Sequence, residues 1–510
     1  MSDKDVAALL DSSEPLVVIE APAGCGKTYQ GANYARRAAL ASSRGRTLIL
    51  THTHSACAQF AKGTSAVSGK LEIKTIDSLA VQAATVYHKS LDLPPDPSAW
   101  ARQQGNDGFK QLGTRVASLL EAKPMIAAAL ADRYPVIIAD EHQDSHADQH
   151  GIVMALHRAG SRLRVFGDPM QAIYGRGKKA VATSREQWDA LKSSGVSDVL
   201  KHPHRWRDGS PDLGDWILQA RESLRSGGLI DLSGSLPSGL SVIVAENTAH
   251  SRTGYGLSRD HRRPVDSIVN SAQSILVLSS QNATVDALRA FWNRRLPIWE
   301  GHTREPLGKL ATTLTQKAGE APAVAGAAVA FIEEVCKGFS RSSHGDRFIQ
   351  EIAEGCQKAA TGKPALIQEL ARYILAEPNH EGVAKCLKRL AELVEDKTPG
   401  FTDVCIDYRN EFRDAIKLEH FAAPEDGLGE INRRRSYARP MPPSKSITTI
   451  HKAKGLECDN ALLIPCDKAH FPGTDAARCK LYVALSRARR SLTLVVSAAS
   501  PSPLLKIGRF

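Results

Sequence analysis

The stretch Ala21-Pro22-Ala23-Gly24-Cys25-Gly26-Lys27-Thr28 constrains this chain more than any other. An apolar run, Leu16-Val17-Val18-Ile19, leads into it, and a helix-like segment, Tyr29 to Leu40, leads out. Strand, glycine-containing turn, Lys-Thr and helix is the layout of a phosphate-binding loop, here with Ala21 where the general pattern has its first glycine. Glycines let backbone N–H groups turn inward around phosphate oxygens. The helix N-terminus adds the positive end of its dipole. Lys27 is positioned to reach the β- and γ-phosphates, and Thr28 to hold Mg²⁺ through its hydroxyl. The expectation is an α/β domain that binds a nucleotide with Mg²⁺.

The rest of the chain must say what the nucleotide is for. A length of 510 residues suggests about three or four domain-sized units. Hydrophobic residues are 42% and charged residues 24%, so a large core is available without special staples. The net charge of +11 suits a polyanionic partner such as nucleic acid. Nine cysteines are scattered without a C-x-x-C pair, which argues against a zinc ribbon and a disulfide scaffold and fits a reducing cytoplasm. The start, Met1-Ser2-Asp3-Lys4-Asp5, is too polar for a signal peptide. The most apolar segment, Ala321 to Ile332, contains Pro322 and is too short to span a bilayer, so no membrane partner is expected.

Short β-like runs alternate with helical stretches through the first half: Leu16–Glu20, Thr47–Thr51, Pro135–Asp140 and Leu163–Gly167. Continuous Val, Ile and Leu strands between helices imply a parallel sheet covered on both faces. A second set follows: Ser241–Glu246, Ser274–Ser280, Ser446–His451, Asn460–Cys466 and Leu492–Ser497. The pattern predicts two α/β units, each with a mainly helical insertion. The first would span 1–195, with its insertion at about 86–133. The second would span 196–310 and 440–510, with helical residues 311–439 set into it.

Ile137-Ile138-Ala139-Asp140-Glu141-His142-Gln143-Asp144 reads as a strand ending in paired carboxylates. In a phosphate-loop protein this is where Mg²⁺ is held and water oriented, with Asp140 on the metal side and Glu141 as general base. Phe166-Gly167-Asp168-Pro169-Met170-Gln171-Ala172-Ile173-Tyr174-Gly175 follows. A DEHQD strand end followed by GDPMQAIYG resembles the UvrD/Rep/PcrA class of superfamily 1 helicases, which carry DEFQD and GDxxQSIY in that order. The resemblance extends along the chain. Leu50-Thr51-His52-Thr53-His54-Ser55-Ala56 is similar to the family's strand-contacting TFTNxAA, and Thr75-Ile76-Asp77-Ser78-Leu79 to its TFHSL. His204-Arg205 resembles its YR, and Leu278 to Ala283 its LYRTNA. Thr449-Ile450-His451-Lys452-Ala453-Lys454-Gly455-Leu456-Glu457 is close to TLHSAKGLE, and Leu481 to Ala488 to LYVALTRA.

The resemblance implies two RecA-like domains with ATP and Mg²⁺ in the cleft between them, and a single-stranded DNA translocase or 3′→5′ DNA helicase acting on single-stranded or tailed duplex DNA. It assigns Gln171, Arg205 and Arg487 to the γ-phosphate, and Gly455 and Glu457 to nucleotide contact beside the loop Ala21–Thr28. Thr51, His52, Thr75, Tyr174, Arg176 and His451 fall to the DNA strand. Two departures stand out. Asp5 occupies the region where the family has an adenine-reading glutamine, which loosens selectivity for adenine. Arg176, within Gly175-Arg176-Gly177-Lys178-Lys179, replaces an aromatic that stacks on a base; a guanidinium plane also stacks on bases. Short UvrD-like chains are also similar to the helicase-like subunit of Gabija anti-phage systems, which works with a nuclease. That likeness implies an alternative: a DNA-sensing ATPase switch that regulates a nuclease partner and unwinds little. Three other features carry bland readings. His142, His146 and His150 are read as exposed positions beside the magnesium site, Glu395-Asp396-Lys397 as a charged helix end, and Cys25 as a small residue filling the loop.

Overall fold

The computed structural model describes residues 3–174, 178–246, 255–293, 295–299, 305–437 and 442–508. Six parallel strands make the first sheet: β1 Leu16–Glu20, β2 Thr47–Thr51, β3 Leu71–Thr75, β4 Val136–Ala139, β5 Arg162–Gly167 and β6 Val196–Val199. Their order across the sheet is β3-β2-β4-β5-β1-β6. Every residue of β1, β2 and β4 is buried, as expected of inner strands covered on both faces. Because β4, β5 and β1 are neighbours, the turns after their carboxyl ends meet at one edge. Those turns carry Asp140–Asp144, Asp168–Gln171 and Ala21–Thr28. Topology alone thus assembles three separate stretches where open α/β sheets bind ligands.

The edge strands β3 and β6 are not among the sequence-expected strands. Glu72 and Lys74 in β3, and Ser197 and Asp198 in β6, give them the composition of loops. β6 lies past residue 195, so the first sheet extends into the next segment. Between β3 and β4, helices Ile76–Val86, Gly108–Ala122 and Pro124–Arg133 pack Leu112, Val116 and Leu120 into a core shared with Ile152 and Leu156.

The second sheet has five parallel strands: β7 Leu240–Ala245, β8 Ile275–Ser279, β9 Lys445–Thr449, β10 Cys458–Cys466 and β11 Ala488–Ser497, in the order β9-β8-β10-β11-β7. Two parallel sheets of this kind, joined through one buried cluster, are consistent with two RecA-like domains. Ala23, Met170 and Ile173, from turns of the first sheet, share a buried cluster with Trp206, Leu463, Tyr482 and Leu494. A separate compact body, Pro297–Met441, is helical around Leu310, Val329, Ile332, Leu370, Leu387 and Phe412. Its β content among the described residues is a short antiparallel pair, Cys336–Lys337 with Cys405–Ile406. All nine cysteines are free thiols. Among the described residues, no helix is long and apolar enough to cross a membrane.

Candidate nucleotide and strand site

The loop after β1 is shaped by two left-handed glycines. Gly24 sits at φ 74°, and a Cβ built there would lie 2.7 Å from the Trp206 ring and 2.8 Å from the Arg205 Cβ. Gly26 sits at φ 83° immediately before helix Lys27–Ala41, with the His204 ring 3.2 Å from where a Cβ would fall. Both positions need glycine for conformation and for space. The Ala21 amide donates to the Gly167 carbonyl at 2.8 Å, and the Cys25 amide to the Pro22 carbonyl at 3.1 Å, tying the loop to β5 and to itself. Thr28 follows Lys27 in the first turn of the helix. Cys25 is buried, and burial pushes its thiol up to about 12, so it is packing rather than a reactive group.

Lys27 meets both carboxylates after β4. Its ammonium pairs with Glu141 and lies 3.8 Å from Asp140 Oδ1. Burial works against the lysine's charge, but Glu141 and Asp140 outweigh it and raise its pKa. Burial and the neighbouring Glu141 raise Asp140, against the pull of Lys27. Burial also acts on Glu141, yet Lys27, Lys454 and a 2.5 Å hydrogen bond from Gln143 Nε2 hold it low. Glu141 has φ 53°, an uncommon backbone state for a residue with a side chain, in the turn that presents this carboxylate. Asp140 Oδ1 is buried without a hydrogen-bond partner. An orphaned carboxylate oxygen beside a lysine, above a glycine cradle at a helix N-terminus, fits Mg²⁺ and a nucleotide's phosphates.

The turn after β5 adds Gln171, whose Nε2 donates to Asp168 Oδ2 at 2.9 Å. Asp168 is fixed in turn by Arg221 Nη2 at 2.7 Å, and the same guanidinium donates to Glu20 Oε1 at 2.5 Å. All three charges are almost fully buried.

The second sheet reaches the same place. Arg205 donates to Glu457 Oε1 at 2.8 Å and to the Ser486 carbonyl at 2.6 Å, and its amide donates to the Gly24 carbonyl at 3.1 Å. Gly455 has φ 83°, in the turn before Glu457. Arg487 is buried, and its guanidinium donates to the carbonyls of Val483 and Leu456 at 2.8 and 3.0 Å. Here it is held by its own domain. Burial and the neighbouring Arg205 lower its pKa to about 10.

The strand candidates separate into distinct environments. Thr51 is buried, with its hydroxyl donated to the Thr53 carbonyl at 3.0 Å. Thr75 is buried at a helix start, where its hydroxyl accepts the Ser78 amide at 3.1 Å. His52 is half-buried, and its Nε2 lies 3.1 Å from Ser145 Oγ. His451 Nε2 lies 3.1 Å from the Ile173 carbonyl. Tyr174 is 53% exposed, with the Lys454 ammonium 4.6 Å from its ring centre. Arg176 lies outside the described residues. Of the three histidines after β4 expected to be exposed, His146 is exposed, His150 is half-buried and His142 is not exposed. His142 is buried and hydrogen-bonded to His150 at 3.0 Å, because Glu141 turns the chain inward there, while His146 begins the next helix.

Sequence reasoning missed two residues as parts of the site. Lys454 Nζ donates to Asp144 Oδ2 at 2.5 Å and to the Gln171 carbonyl at 2.6 Å, joining the second sheet to two turns of the first. Tyr482 takes the Ala23 amide. Both stand inside recognised motifs, but nothing in their type or spacing names a partner.

A glycine loop and a carboxylate pair on one parallel sheet, met by Arg487 from a second and by Arg205 from the connection between them, have the layout of a two-lobed phosphate-loop site. Residues 99–180 match the model of the UvrD/REP helicase N-terminal domain, and residues 446–495 that of the UvrD-like helicase C-terminal domain. The chain is 38% identical over 77 residues to the RecBCD enzyme subunit RecB of Escherichia coli, and 35% over 74 residues to that of Mycolicibacterium smegmatis. Each alignment covers 14% of this chain but only 6% and 7% of those subunits. Fold and matches together make this chain similar to UvrD-like superfamily 1 helicases in these two stretches.

Proposed function

We propose that the chain is an ATP-dependent translocase on single-stranded DNA and a 3′→5′ DNA helicase. The observation that carries this reading is the division of the site. Lys27, Asp140, Glu141 and Gln171 stand in turns of one sheet, Glu457 and Arg487 in turns of the other, and Arg205 on the connection between them. The loop amides and Lys27 would hold the triphosphate of ATP, and Thr28 and Asp140 would hold Mg²⁺, which neutralises charge on the transferring phosphoryl group. Lys27 leaving Glu141 for a phosphate frees that carboxylate to orient water and accept its proton. Arg487 leaving its carbonyls for the γ-phosphate would make hydrolysis depend on closure of the two lobes. His52, Tyr174, His451 and Arg176 would meet the strand. The polarity rests on the family resemblance.

A second reading is a DNA-sensing ATPase switch that regulates a nuclease partner in anti-phage defence, with little unwinding. Arg487 held by its own domain favours a site that a further event must complete. The relatives' name, a subunit of the RecBCD enzyme, supports a partner protein. Under either reading the chain would work on cytoplasmic DNA. ATP hydrolysis and unwinding, assayed together on duplexes with 3′ or 5′ tails, test both. Unwinding of the 3′-tailed duplex alone is expected. DNA-stimulated hydrolysis without unwinding on any duplex selects the switch. Hydrolysis indifferent to DNA overturns both.

A further inference from the structure

We propose that Ser145 is a positioning residue that couples strand occupancy at His52 to the turn carrying Glu141. The inference rests on the reading above, in which His52 meets the strand.

Four side chains make one continuous hydrogen-bonded path. His52 Nε2 lies 3.1 Å from Ser145 Oγ, Ser145 Oγ lies 3.2 Å from His142 Nδ1, and His142 Nε2 lies 3.0 Å from His150 Nδ1. The path begins just past the end of β2, in the stretch similar to the family's strand-contacting segment. It ends on helix Ala147–Arg158. Its third member, His142, directly follows Glu141. The intervening turn is closed by the backbone, with the Asp144 amide on the Glu141 carbonyl at 2.9 Å and the Ser145 amide on the His142 carbonyl at 3.0 Å. A displacement of Ser145 is therefore passed to Glu141 by both side chain and main chain.

The chemistry of the path makes it directional. A neutral imidazole offers one donor and one acceptor, so each ring on the path can receive one hydrogen bond and pass on another. The Ser145 hydroxyl, with one proton, decides which neighbour it donates to. Among the described residues, the hydrogen bond recorded for the His52 side chain is the one to Ser145. A second bridge enters the same segment from the other strand candidate: Gln149 Nε2 donates to Asp77 Oδ1 at 2.7 Å, and Gln149 Oε1 accepts the His146 amide at 3.1 Å. Both candidate strand segments thus feed the ten residues that begin at Glu141. The mechanism above uses neither Ser145 nor His150.

The test is steady-state ATP hydrolysis by the full chain with and without an oligothymidylate. In Ser145→Ala, turnover without DNA and the KM for ATP are expected to stay within about twofold of wild type, while stimulation by DNA falls about fivefold or more, as loss of a coupling between sites requires. Ser145→Thr keeps the hydroxyl and is expected to keep the stimulation. A purely structural role would move both rates together. Wild-type stimulation in Ser145→Ala, or equal loss in both variants, overturns the inference and leaves the proposed function standing. Absence of stimulation in the wild type overturns the proposed function itself. Should Ser145→Ala lower the melting midpoint, His150→Phe cuts the path one ring further out, and unchanged stimulation there also overturns the inference.

Discussion

The hydroxyl of Tyr482 accepts the backbone N–H of Ala23 at 2.8 Å, a bond between residues 459 positions apart. One end is a helix of the second sheet, Asp475–Leu485, which leads into Arg487. The other end is the phosphate-binding loop. The arginine proposed to complete the nucleotide site is therefore linked, through its own helix, to the loop that begins it. Tyr482→Phe leaves the buried Ala23 amide without its acceptor. It is expected to cost about 1–3 kcal/mol, read as a lower urea midpoint at unchanged slope.

Arg221 is the charge that Glu20 and Asp168 are built around, and all three are nearly inaccessible to water. Arg221→Met strands the buried Asp168, leaves Glu20 with Lys192 alone at 3.4 Å, and is expected to destabilise unit 1–296 and 442–510 by about 3–5 kcal/mol in chemical unfolding. Burial by itself would raise the Glu20 pKa, but Arg221 prevails and holds it below 4.5. A carboxylate depressed in the folded state adds stability above its unfolded pKa and loses it as pH falls through the folded value. Stability is expected to fall with acid below about pH 4.5, and Glu20→Gln to flatten that limb.

Removing Lys27 should stop hydrolysis, because no other cation is placed to meet the phosphates from within the loop. Lys27→Ala is expected to lower ATP turnover about 100-fold or more, as loss of one preorganised donor does elsewhere. Glu141→Gln keeps the shape but cannot accept a proton. It is expected to lose turnover similarly while still binding nucleotide, measured by titration calorimetry. Residual hydrolysis near wild type in Lys27→Ala would move the site elsewhere.

Lys454 brings one ammonium to Asp144, the Gln171 carbonyl and the face of Tyr174. Lys454→Met should leave Asp144 unpaired in a buried position, at a cost of about 3 kcal/mol. It should also weaken single-stranded DNA binding through the released Tyr174, measured by fluorescence anisotropy.

The inner strands were legible because full burial demands apolar residues at every position, as in Leu16–Ile19 and Ile137–Ala139. The edge strands were not, because half-exposed positions accept Glu72, Lys74 and Asp198. The histidines after β4 misled for a related reason. Their spacing suggested one exposed helical face, but the left-handed turn at Glu141 buries His142.

The sequence by itself determined the two parallel sheets and the turns that carry the chemistry, since burial patterns and glycine-Lys-Thr geometry are local. It could not determine that Ala23 meets Tyr482, that Asp168 and Glu20 share Arg221, that Lys454 reaches Asp144, or that His52 is joined to His142 through Ser145. Those pairings depend on strand order and on how the two sheets meet. Only the tertiary structure decides which far-apart residues are near enough to exchange a hydrogen bond. Ala21–Thr28 could therefore be read from the chain as a candidate phosphate cradle, while its bond to Tyr482 could be found only in the fold.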